Sequence, residues 1–391
     1  MNPRRLVSIA ACAALAAGCA ERRAPRSELP PLSFLVSAGD STFWVEQASS
    51  RLTVRRSPML LTEVAGRFYE LYLTDDDRSF YDAVIVGQRI FRRDLASGDS
   101  LQLFEDATLA RLAADYAARH PGEAPLGPDD DAADAPSTTA TTETELLEAT
   151  GPYLTIEQHV DIDVRGGSDQ HLTRRAVLDV RDGHAVSIAD LVGARQAADI
   201  NRQAQRVLAA TLDSARRAGD ERARRASAAL TGFTFDSTSF ALVDDDGAPA
   251  IAFLVPGRGA HAGGYSLPLA PLRISEGPWW APIRAGLPSL RGEALTWRGD
   301  AYDVVVREDS AGDSVQLVVR AGPNEWPVAR VPAPVRRVTR LDHPPAPATT
   351  RDALRRAFSE SALYSGELRT ASAPHRPRNP APAIAHWAAQ R

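Results

Sequence analysis

The 391-residue chain contains no lysine: all 45 of its basic residues are arginine. That bias reflects coding composition, and it excludes every mechanism built on a catalytic or Schiff-base lysine. Cysteine is almost as scarce. Cys12 and Cys19 stand alone, so beyond residue 19 no disulfide, thiolate nucleophile or cysteine-ligated zinc site can form. The fold must be held by its core, for which 44% apolar composition is ample. No stretch approaches the roughly 20 consecutive apolar residues that span a bilayer as a helix. A cationic excess is missing too, and a formal net charge of −5 argues against nucleic acid as a partner. A His-Glu-x-x-His pair, a phosphate-binding loop and a nucleophile elbow are also absent.

What is present begins with Arg4 and Arg5, an apolar run over residues 6–17, and Gly18-Cys19. A positive start, a short apolar stretch and a small-residue cleavage site describe a secretory signal. Leu15-Ala16-Ala17-Gly18-Cys19 resembles the lipobox of bacterial lipoproteins, with leucine one place further upstream than usual. The resemblance implies cleavage before Cys19 and acylation of its thiol and amine. Each buried methylene would contribute about 0.8 kcal/mol to anchoring. Ala20 in place of aspartate implies the outer membrane, facing the periplasm. The competing reading is an ordinary secretory signal with a chance cysteine.

Residues 20–32, rich in proline and arginine, read as a tether. Residues 33–120 form a β-rich region, with strands expected at 42–45, 52–54, 68–73 and 83–91 and a terminal helix at 107–120. Residues 121–149, acidic and rich in Pro and Thr, read as a disordered insertion with little apolar surface to bury. Within it, Asp129-Asp130-Asp131 lacks the glycine and distal glutamate of a calcium loop and reads as solvated charge. An α+β domain is expected over 150–275, with a long helix at about 195–227 and a hairpin pairing 238–243 with 250–255. A β-rich region (276–345), a short helix near 350–359 and a disordered tail complete the chain. Ser37-Ala38-Gly39-Asp40-Ser41 recurs at residues 310–314 and nearly at 96–100, which reflects good turn chemistry more than an internal repeat. The predicted fold class is α+β: antiparallel sheets, one long helix packed on the central sheet, and β-rich flanks.

Within residues 150–275, a polar-faced strand ends at Arg165-Gly166-Gly167-Ser168-Asp169-Gln170-His171. It is followed by Asp179-Val180-Arg181-Asp182-Gly183, then by Val186-Ser187-Ile188-Ala189-Asp190-Leu191, and later by Pro256 and Leu267-Pro268-Leu269. This order resembles the extracytoplasmic domain shared by the lysozyme-sensing anti-sigma factor RsiV and the peptidoglycan deacetylase PdaC. The glycines echo that family's Gly-Gly-Ala-His, with two extra residues before His171, and Asp179 and Gly183 match its Asp-x-x-x-Gly hairpin. Gly257-Arg258-Gly259-Ala260-His261 replaces the family's usual aromatic after Pro256. Neither a membrane helix nor a carbohydrate-esterase metal signature accompanies the match. The resemblance therefore implies a recognition module for a lysozyme-like or peptidoglycan-derived ligand.

His159, Asp161 and Asp163 fall on one face of an alternating strand, where His171 and His184 could join them around a metal. A solvated face on a half-buried strand is the commoner cause of such a pattern. Gly257-x-Gly259-x-x-Ala262 fits a dinucleotide fingerprint but leads into loop and strand instead of a helix, so it is rejected. Ser266 has no acid or base near it in sequence. Trp279 and Trp280 could offer a ring to a sugar, and in an extended segment one of the two would point into the core. The leading expectation is a lipid-anchored envelope module that binds a protein or glycan, without catalysis, cofactor or metal. Cys19 is its lipidation site, and Gly166, Gly167, His171, Arg258, His261 and Trp280 are its candidate ligand contacts. The alternatives are an envelope hydrolase with a dispersed Ser/His/Asp or metal site, and a structural lipoprotein.

Overall fold

The computed structural model describes residues 29–39, 41–48, 51–123, 125–126, 136–165, 167, 169–219, 221, 233–245, 247–255, 267–291, 294–308, 313–342 and 345–371. Strands β1 (Leu32–Ala38), β2 (Ser41–Ala48) and β3 (Arg51–Ser57) form an antiparallel meander. After it come β4 (Leu60–Val64), β5 (Arg67–Asp75), β6 (Arg78–Phe80), β7 (Ala83–Val86), β8 (Gln88–Asp94), β9 (Ser100–Glu105) and helix α1 (Ala107–Arg119). The middle of the chain supplies β10 (Thr138–Thr150), β11 (Tyr153–Val164), β12 (Gln170–Asp179), α2 (Ile188–Val192) and α3 (Ala194–Arg217). Short strands follow: β13 (Ala241–Asp245), β14 (Ala248–Ala252), β15 (Leu254–Val255), β16 (Leu267–Pro268) and β17 (Leu272–Arg273). The remainder is α4 (Trp280–Ala285), β18 (Ser289–Arg291), β19 (Ala294–Trp297), β20 (Asp303–Glu308), β21 (Ser314–Ala321), β22 (Asn324–Pro332), β23 (Val335–Arg340) and α5 (Ala348–Ala371). The protein is α+β and dominated by antiparallel sheets.

The two flanking regions are one structure. β23 adds to β1, so the first sheet runs β23-β1-β2-β3. One face of this sheet (Phe34, Val36, Val45, Val338) packs on the sheet β18-β19-β20-β21-β22 through Val304, Leu317 and Val319. Val304, Val306, Val315, Leu317 and Val319 supply that face, while Val305 and Val318 of the same two strands are buried outside this core. The other face, through Leu35 and Trp44, packs on Met59, Phe68 and the α5 residues Leu354 and Phe358. Alternate residues of β1 thus serve two cores, which is why most of the strand is buried.

The same chain weaves the N-terminal and middle regions together. β5 leaves the sheet β4-β5-β8-β9, passes through β6 and β7, and returns as β8. During that excursion β7 pairs in parallel with β10, in the sheet β12-β11-β10-β7-β6. The two sheets face each other through Leu71, Ile90, Leu154, Ile156 and Leu178. Further along the same buried side, α1 covers Ala140, Val160 and Ile162 with Leu109, Ala113 and Tyr116.

Several expectations need correction. Much of the supposed disordered insertion is β10, which pairs with β11 along its length, while residues 124 and 127–135 lie outside the described residues. Large apolar side chains are few there, but threonine is β-branched and the alternation places Ala140, Thr142 and Thr144 inside. The long helix stops at Arg217, ahead of Gly219 at φ +80°, and residues 220 and 222–227 of its expected span lie outside the described residues. Its Ala197, Ile200, Ala204 and Leu208 share a core mainly with Leu242, Ile251, Phe253 and Leu272 of the small sheet region, and only Tyr153 and Val177 join from the large sheet. The helix therefore covers one end of the central sheet and does not lie across it. The last helix runs to Ala371, beyond its expected end at 359.

Candidate ligand-binding face

Strand β11 has two unlike faces. Leu154, Ile156, Gln158, Val160 and Ile162 point into the cores just described. The opposite set begins under cover, with Tyr153 packed in the α3 core and Thr155 buried. It then emerges: side-chain exposure rises from 16% at Glu157 to 42% at His159 and 57% at Asp161. This is the face that the alternation of Glu157, His159, Asp161 and Asp163 predicts.

Register gives each of these residues a partner. Glu157 lies between Glu145 and Arg175, His159 between Glu143 and Thr173, and Asp161 between Thr141 and His171. Arg175 Nε donates to Glu157 Oε2 at 2.7 Å, and His159 Nε2 lies 3.4 Å from Glu157 Oε1. His159 Nδ1 is 3.0 Å from Thr173 Oγ1, and His171 Nδ1 is 2.6 Å from Asp161 Oδ1. The hydrogen bond to Glu157 raises the affinity of His159 for a proton, against the opposing effect of burial. Burial pushes Glu157 up, but His159 and Arg175 together outweigh it and hold the carboxyl below its usual value. The face is a ladder of polar pairs fixed by register, with His159 as a group poised to titrate. His159 is committed to Glu157 and Thr173, and Asp161 to His171, so the suggested His159/Asp161/Asp163 metal set does not converge.

The carboxylate and imidazole atoms that do converge among the described residues belong to Asp179, Asp182 and His184, in the turn after β12. Asp179 is 1% exposed, and both its oxygens accept from Arg181 Nε, at 2.9 and 3.0 Å. A cation would have to displace that guanidinium, so the cluster is a turn lock. Asp179 O also accepts from Gly183 N at 2.7 Å. Gly183 sits at φ +83°, and a Cβ there would fall 2.8 Å from Leu103 O of β9. The Asp-x-x-x-Gly pattern thus marks a tight turn pressed against the neighbouring sheet.

Gly167, exposed, and His171 lie at the open end of the ladder, where Gly167 N donates to Val164 O at 2.7 Å. Gly166, Arg258 and His261 fall outside the described residues. Trp280 corrects the expectation of a ligand contact. It is 0% exposed, and its Nε1 donates to Gly247 O at 3.2 Å. Trp279 is half-buried, with its Nε1 on Leu191 O and its ring edge-on to Tyr153. The pair opens a helix instead of lying in an extended segment, so the two side chains diverge by about 100° instead of 180° and both reach core.

Sequence reasoning missed the cross-strand partners Arg175 and Thr173, which only the register reveals. No helix among the described residues is long and apolar enough to cross a membrane. Compared with models of protein families, with curated proteins and with solved structures, the chain matches none.

Proposed function

We propose that the protein is a lipid-anchored recognition module of the bacterial cell envelope, held at the membrane through Cys19, that binds a protein or glycan ligand without catalysing a reaction. The observation that carries this reading is the uncovered face of β10, β11 and β12 around His159, with Gly167 and His171 at its open end. Ion pairs fixed by strand register make a rigid, patterned polar surface, which suits recognition because little side-chain entropy remains to be lost on binding. The resemblance to the RsiV and PdaC domain supports a lysozyme-like or peptidoglycan-derived ligand.

Two measurements test it. The intact mass of the mature protein should correspond to cleavage before Cys19 plus acyl chains, and an unacylated Cys19 overturns the anchor. Immobilised chain should retain lysozyme or soluble peptidoglycan fragments, and Asp161→Arg, at a mostly exposed position, should reduce retention at least tenfold. Failure to retain either probe overturns the recognition reading.

A further inference from the structure

Away from the polar face, a cavity of about 60 Å³ opens where β23, β4, the β10–β11 turn and α4 meet. Leu60, Ile283 and Leu287 form an apolar wall, and Gly286, exposed, stands at the mouth. Two guanidinium groups, Arg336 and Arg337, share the site with one carboxyl, Glu148. Arg336 Nη1 donates to Leu147 O. The side chain of Arg337 makes no hydrogen bond or close ion pair among the described residues, although Glu63 and Glu148 act on it from a distance. The hydroxyl of Thr150, a residue 7% exposed, also lines the cavity; it lies beside Glu148 but makes no hydrogen bond of normal geometry.

We propose that this cavity binds a small aliphatic carboxylate, either a free short-chain acid or the carboxyl end of a peptide reaching in past Gly286. A crowded guanidinium without a hydrogen-bonded counter-ion is unfavourable, and an anion entering from solution supplies one. Burial lowers the proton affinity of Arg337 and raises that of Glu148, as expected where water screens charge poorly. The Thr150 hydroxyl, which rotates about its Cβ–Oγ1 bond, can turn from Glu148 to donate to a second oxygen. About 10–15 Å³ of such volume holds one water, so 60 Å³ suits a ligand of about five heavy atoms. The leucine and isoleucine wall favours a hydrocarbon tail over phosphate or sulfate.

Titration calorimetry of the full chain tests the assignment with butyrate against butyramide, and N-acetyl-Ala-Ala against its C-terminal amide. At least one acid should bind while its amide does not, and which acid binds identifies the source. Arg337→Gln should weaken that binding more than tenfold. Gly286→Trp, whose Cβ meets only an ordinary 3.5 Å contact at Ile283 O, should block the mouth without touching the charged groups. Equal binding of acid and amide, no binding of either acid at tens of millimolar, or full affinity in a folded Gly286→Trp variant overturns it. Asp161→Arg leaves this site unchanged, so the outcome is independent of the ladder's.

Discussion

Asp106 is a residue through which the joining of α1 to the central sheet can be measured. It is 2% exposed and N-caps the helix, its Oδ1 accepting from Thr108 N at 2.8 Å and Leu109 N at 3.1 Å. Its Oδ2 accepts from Arg174 Nη2 at 2.6 Å, Arg174 Nε donates to Gln158 Oε1 at 2.9 Å, and Gln158 Nε2 donates to Thr144 Oγ1 at 3.1 Å. One carboxylate therefore ends a helix and anchors a chain of hydrogen bonds across three strands. Asp106→Ala removes a cap of about 1 kcal/mol and a charge-assisted bond. Because Arg174 is about a third exposed, that bond takes the lower end of its range, about 1–2 kcal/mol. The total is about 2–3 kcal/mol. Asp106→Asn keeps the cap and should cost about half as much. Urea denaturation followed by circular dichroism, extended to Arg174→Met and the double variant, should give a coupling energy of about 1–2 kcal/mol. Additive losses, or Asn costing as much as Ala, would refute the shared role.

Three further outcomes concern Tyr302, His159 and Gly183. Tyr302 is 2% exposed and donates to Asp342 Oδ2 at 2.7 Å; burial and that hydrogen bond push its phenol far above the usual range. Its contribution is complete below the unfolded value of about 10 and is lost as pH rises beyond it, so Tyr302→Phe should flatten the alkaline fall in stability seen by thermal denaturation. For His159, the raised folded value means that its stabilisation is complete below about pH 6.5 and is lost as pH rises through that higher value. Glu157→Gln should bring the His159 titration, read from ring-proton NMR shifts, back down towards the ordinary value. Gly183→Ala should cost more than Gly219→Ala in thermal midpoint: both sit at positive φ, but a Cβ at Gly219 meets nothing within 4 Å. Equal losses would show that Leu103 yields.

Local chemistry was legible where the signal was local. Alternation announces β11, valine-rich runs announce β20 and β21, Asp106 precedes a readable helix, and Gly39 and Gly98 take the positive φ that their turn motifs imply. The polar face around His159 could be read for the same reason. What escaped was set by distant partners. Gln158, out of place on an apolar face, makes sense only once Arg174 and Asp106 reach it. The threonines of β10 look like linker until β7 and β11 flank them. The cavity between β23 and α4 brings together residues about 190 positions apart, as Arg336 bonding Leu147 O illustrates, and no window of sequence contains such a site.

The pairing of β1 with β23 also governs how this molecule can come into being. During synthesis β1 finds Val338 and Leu354, which complete its two cores, only after some 300 further residues have emerged. Until then Phe34, Leu35 and Trp44 have no permanent shelter, so maturation is late and governed by loop closure rather than by growth from the leading end. A chain shortened before residue 335 loses more than a tail: it leaves its own beginning without an interior.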